Sequence, residues 1–148
     1  MVNEPIQVLL ADDNEDDRLF FADAFEEIGT ITVVNTVMDG YELINHLSMP
    51  DAILPHILFL DLAMPRKSGL ECLREIKSNN LFKDMAIAIY SKSSAEEDIE
   101  DAFVSGANIY IMKPNHFNTM KVLLSKVIAT NLQFGATAIE RDSFVLGN

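Results

Sequence analysis

The chain has 148 residues, 49% hydrophobic and 23% charged, which fits one globular domain with an ordinary core and excludes a disordered chain. Eleven Lys plus Arg against 23 Asp plus Glu leave a formal charge of −12, so neither nucleic-acid phosphates nor anionic lipid is an expected partner. The lone cysteine, Cys72, rules out an internal disulfide framework; with no apolar run near the ~20 residues of a bilayer span and no basic signal segment in MVNEPIQVLLADDN, a soluble cytoplasmic domain is expected.

Five short runs of branched aliphatics recur, each followed by turn chemistry and a helical pattern. The first, Ile6–Ala11, precedes a helix with Phe21, Ala24, Phe25 and Ile28 on one face, and Gly29 is expected to stop it. Residues 31–34 form the second run. Asp39 with Glu42 three later then opens a helix carrying Tyr41, Leu43 and Leu47, and Pro50 lies beyond its end. Ile57–Leu60 is wholly apolar, and Ser68 with Glu71 forms a second capping box for a helix running to about Ser78. Residues 86–90 are the fourth run. Ser93, Ser94, Glu96 and Glu97 then lead into a helix burying Ile99, Ala102 and Phe103, which Gly106 terminates. Ile109–Met112 is the fifth, and beyond Pro114 the residues Phe117, Met120, Leu124, Val127 and Ile128 keep helical spacing.

This alternation predicts an α/β fold, a doubly wound five-stranded parallel sheet with helices on both faces. The most continuously apolar runs belong at its centre, and right-handed connections then give the order 2-1-3-4-5. A domain over residues 5–132 with a short tail from 133 to 148 is expected.

Ligands of such sheets bind beyond the carboxyl ends of the strands, where the order reverses. There the sequence puts Asp12 and Asp13 after the first strand, Asp61 after the third, Ser91 after the fourth and Lys113 after the fifth. Singly, each has a plainer reading: Asp13 or Asn14 as a helix cap, Ser91 as turn chemistry, Lys113 as a solvated loop residue. Together they converge on one patch. Three neighbouring carboxylates repel unless a pKa shifts or a cation binds, and an all-oxygen set selects a hard ion such as Mg2+. A carboxylate beside that ion and an ammonium is a nucleophile suited to phosphorus, giving an aspartyl phosphate.

In these residues the chain resembles the receiver domain of bacterial two-component response regulators, in the stand-alone chemotaxis style. The acidic pair in LLADDN, the acceptor context FLDLAMPRKSGLE, the hydroxyl in IAIYS and the lysine in YIMKP match in order and spacing across about residues 5–130. The resemblance implies a flavodoxin-like receiver fold with Asp61 as phosphoacceptor. It also implies Mg2+ on Asp12, Asp13, Asp61 and the Ala63 carbonyl, and Ser91, Lys113 and Tyr110 as the phosphoryl-responsive switch. Pro65 and Gly69 shape the loop after the acceptor, and Pro114 matches the family's cis-proline position. Ala63, Lys92 and Ser93 flank the path of hydrolytic water. Lys92 departs from the family's usual small residue, and its stem is expected either to screen the phosphoryl group or to extend into solvent.

The implied partners are a sensor histidine kinase or phosphotransfer protein and a downstream protein, with no membrane or direct nucleic-acid contact. The chain is expected to catalyse only its own phosphorylation and dephosphorylation. A magnesium-dependent phosphohydrolase is the alternative, weakened because Leu62 and Ala63 place no second carboxylate two residues beyond Asp61. His46, His56 and His116 share no cluster, Cys72 reads as a small core residue, and Glu15, Asp16 and Asp17 read as complements to a helix N-terminus. On phosphorylation Tyr110 is expected to turn inward, altering the face formed by the fourth helix, fifth strand and fifth helix. The apolar Phe144, Val145 and Leu146 should dock on the domain or on a twin subunit in a homodimer.

Overall fold

The computed structural model describes residues 4–29, 31–134 and 141–146. Six parallel strands, β1 (Ile6–Ala11), β2 (Thr32–Val37), β3 (Ile57–Leu60), β4 (Ala86–Ser91), β5 (Ile109–Met112) and β6 (Val145–Leu146), lie in the order β2-β1-β3-β4-β5-β6. The helices are α1 (Glu15–Glu27), α2 (Gly40–Ser48), α3 (Gly69–Lys77), α4 (Glu96–Val104) and α5 (Phe117–Phe134). The expected doubly wound order holds for the first five strands. The two-residue β6 extends it along β5.

Strand alternation divides the core. Val8, Leu10, Ile57 and Phe59 face one way, onto Phe21 and Phe25 of α1 and Leu124 and Val127 of α5. Leu9, Ala11, Leu58 and Leu60 face the other, onto Leu43 and Leu47 of α2, Leu73 and Ile76 of α3, and Ile99 of α4. Phe59 is fully buried and its ring lies 5.0 Å from Phe21, 6.2 Å from Phe25 and 6.3 Å from Tyr90, all edge to face. Cys72 is buried in the second layer, where burial pushes its thiol up to about 11, so it is an inert core residue.

Local chemistry sets most element ends. Asn14, Asp39 and Ser68 cap α1, α2 and α3, and the Ser68–Glu71 box is formed. Gly106 supplies the positive φ, 100°, that closes α4. Gly29 does not do this for α1: the helix stops at Glu27 because Ile28 is already extended, at φ −79° and ψ 135°. β2 runs three residues beyond the expected end, through Asn35 and Thr36, because the edge strand needs no apolar residue on its open side.

Pairing aligns the strand ends. Ala11 lies opposite Val37 and Leu60, Leu60 opposite Ile89, and Ser91 opposite Met112. Asp12, Asp61 and Lys113 are therefore the first residues past three strands at one rim of the sheet. β1 has β2 on one side and β3 on the other, so the order reverses at the rim between β1 and β3.

Candidate functional site

The rim brings Asp12, Asp13 and Asp61 together, with one carboxylate oxygen from each within 4.8 Å of the others. Asp12 and Asp61 are buried and Asp13 is exposed, so the cluster is a cup open on one side. Asp12 Oδ1 accepts from the Asn14 amide at 3.0 Å, and Asp61 Oδ1 accepts from the Ala63 amide at 3.2 Å. The other oxygens of both face Lys113, whose ammonium donates to Asp12 Oδ2 at 2.7 Å and to Asp61 Oδ2 at 3.4 Å. One cation therefore serves two buried carboxylates.

Burial pushes the Asp61 carboxyl up to about 6, against the pull of Lys113 and with the added push of Asp12. Burial alone would drag the Lys113 ammonium down, but Asp12, Asp61 and Asp17 together hold it above the usual lysine range. The ammonium also lies 5.1 Å from the centre of the buried Tyr90 ring. An all-oxygen cluster with two buried anions and an open side suits a hard divalent cation.

Asp17 was read as a complement to the helix N-terminus; it turns back instead, and Lys113 donates to it at 3.0 Å. With Asn14 as N-cap, Asp17 is the third residue of α1, and helical side chains lean toward the N-terminus, here over the strand ends. That geometry is the sequence signal for a fourth carboxylate at the site. Arg18 adds a guanidinium bond to the Asp12 carbonyl at 2.8 Å. Lys92 is 70% exposed at its side chain and reaches to 3.9 Å from Asp17, so it borders the groove beside Lys113 from its solvent side.

Ser91 is buried at the end of β4, its hydroxyl accepting from the Ser93 amide at 3.1 Å. Ser93 in turn donates to Asp98 of α4 and accepts, through its carbonyl, the Tyr110 hydroxyl at 2.9 Å. Tyr110 is fully buried, with its ring tilted toward that of Phe144 at 6.3 Å. The docking expected of Phe144 is onto the domain itself.

The loop after Asp61 is tightly fitted. A Cβ at Gly69 would stand 2.1 Å from the Asp61 carbonyl oxygen, so only glycine allows α3 to start so close to the acceptor. Arg66 holds a positive φ of 66° in this loop and bonds Asp39, the cap of α2, at 2.5 Å. The Pro114 peptide bond is trans, not cis as its position implied, because no described residue has a cis bond. His56 sits apart and accepts from the Gln7 amide, a structural role.

Residues 8–125 match the family described as the response regulator receiver domain. Among solved structures, the phosphorylated cyanobacterial phytochrome response regulator RcpA superimposes with a TM-score of 0.79 at 26% identity, covering 93% of this chain and 98% of that one. The Mn2+-bound form of response regulator Rcp1 gives 0.77 at 22% identity over 87% and 96% of the two chains, a likeness of fold. A probable methanogenesis regulatory protein of Methanothrix harundinacea, FilR2, is 25% identical over 127 residues, 84% of this chain and 82% of the relative.

Proposed function

The chain belongs to the response regulator receiver domain family, and from that membership we propose a cytoplasmic phosphorylation switch with Asp61 as phosphoacceptor. The phosphodonor is a phosphohistidine on a sensor histidine kinase or phosphotransfer protein, and the output is a changed affinity for a downstream protein. The observation that carries this reading is the Asp61 carboxylate, buried beside Asp12 with Lys113 3.4 Å away. It is an anion held at high free energy next to the cation that a phosphoryl group needs.

In the reaction an Asp61 oxygen attacks phosphorus as the bond to the donor imidazole nitrogen breaks, and the electron pair stays with the imidazole. Lys113 meets the charge on the phosphoryl oxygens, and the Ser91 hydroxyl donates to one of them once it leaves the Ser93 amide. Asp12, Asp13, Asp61 and the Ala63 carbonyl would hold Mg2+, which when bound would supply further electrostatic stabilisation. Ala63, Lys92 and Ser93 bound the approach of hydrolytic water, and the side chain of Lys92 is largely exposed beside Asp17. Tyr110, bonded to the Ser93 carbonyl, follows the position of Ser91. The chemistry is limited to the chain's own phosphorylation and dephosphorylation. The phosphorylated state in which RcpA was solved agrees with this reading.

Incubation with acetyl phosphate and Mg2+ should add one phosphoryl group per chain by intact mass, and none to Asp61→Asn. Labelling that persists in Asp61→Asn, or that ignores removal of Mg2+ by a chelator, contradicts the assignment.

A further inference from the structure

Residues 141–146 form a second constellation that phosphoryl chemistry does not use. Phe144 is fully buried, its ring edge-on to Phe103 of α4 at 5.1 Å and tilted toward Tyr110 of β5 at 6.3 Å. Its carbonyl accepts from the Tyr110 amide at 2.9 Å, and Val145 and Leu146 pair as β6 with Tyr110 and Ile111. Arg141 bonds Glu96 at 2.5 Å and Glu100 at 3.1 Å, both on α4. An open strand edge is a template for another strand. Here the chain's own C-terminal segment occupies it.

The fit is that of peptide recognition by strand addition: main-chain bonds give affinity, while side-chain pockets select the sequence. Phe103 and Tyr110 wall the aromatic pocket. Glu96 and Glu100 on α4 select a cation and repel acidic segments.

We propose that the edge formed by α4 and β5 is a recognition groove for an extended segment with a basic residue three positions before an aromatic one. Residues 141–146 are its intramolecular occupant, and a partner protein carrying such a segment binds by displacing them. Tethering gives the tail an effective concentration of about millimolar, so a partner segment of micromolar affinity competes only when the tail loosens. Tyr110 links the groove to the site. It forms a wall of the Phe144 seat, and its hydroxyl bond to Ser93 shifts whenever Ser91 leaves the Ser93 amide. This coupling rests on the phosphorylation reading above; the occupancy of the groove does not.

The test titrates a fluorescent synthetic peptide of residues 139–148 onto the full chain and two full-length variants, Phe144→Ala and Arg141→Glu. Both variants should bind the peptide at least tenfold more tightly than the original chain, whose groove is filled. A peptide carrying Phe144→Ala should bind the variants at least tenfold more weakly. Equal binding to all three chains, or none to variants shown folded by circular dichroism, overturns the proposal. A dimer that dissociates on Phe144→Ala also overturns it, since the occupant would then come from a second copy. Mg2+ with beryllofluoride should change peptide affinity at least threefold. If it does not, while acetyl phosphate still labels Asp61, the coupling fails and the phosphorylation reading stands; if Asp61 is not labelled, that reading fails instead.

Discussion

Leu10 and Phe59, inside β1 and β3, are buried, and so are Asp12 and Asp61 just past the ends of the same strands, yet burial acts on the two pairs in opposite directions. For the apolar pair, leaving water is favourable by ~2 kcal/mol per side chain. For the acidic pair it is costly, and Lys113 is the ammonium between them. Stability is carried by the strand interiors; the rim gives some of it up to hold buried anions.

The largest effect should come from breaking the apolar side. Phe59→Ala removes a ring packed on Phe21, Phe25 and Tyr90 and should destabilise by about 4 kcal/mol in urea unfolding. A loss under about 1 kcal/mol would mean the strand interiors do not carry the fold.

On the acidic side, Lys113→Met leaves Asp12 and Asp61 without their shared cation. It should cost about 3 kcal/mol at pH 7.5, and less at pH 5, where Asp61 takes up a proton. Asp61→Asn should do the reverse. The Asp61 carboxyl lies at about 6 in the fold against an ordinary 3.8, so between those values the folded chain holds a proton the unfolded chain has lost. Stability from this group is full below that window, falls as pH rises through it, and is lost above. Without Mg2+ at pH 7.5, Asp61→Asn should therefore stabilise by about 2 kcal/mol, a rise in Tm of about 5 °C. That gain should vanish near pH 4. A destabilising Asp61→Asn at pH 7.5 would remove the contrast between rim and interior.

The same division governs what the sequence reveals. Ile57–Leu60 and Ile109–Met112 are legible to the residue because strands covered on both faces must be apolar throughout. The true end of β2 is not legible, because Asn35 and Thr36 on an edge strand carry no such requirement. At the rim, Asp12, Asp13, Asp61, Ser91 and Lys113 are visible because chemistry restricts residue type at strand ends. Asp17 is hidden, because an acid in the first turn of a helix already has a sufficient reason to be there. That Phe144 docks is legible, because three adjacent apolar residues call for cover, but its seat and β6 are not. The seat depends on Phe103 and Tyr110, far away in sequence, and a two-residue strand has no period to read.

The central claim is that the raised, buried Asp61 carboxylate is the group that takes the phosphoryl. Borohydride reduction after labelling with acetyl phosphate and Mg2+ converts an acyl phosphate to an alcohol, marking its position for peptide mass mapping. The account predicts homoserine at position 61 alone. Reduction at Asp12 or Asp13, or none in a chain that intact mass shows to be phosphorylated, would contradict it.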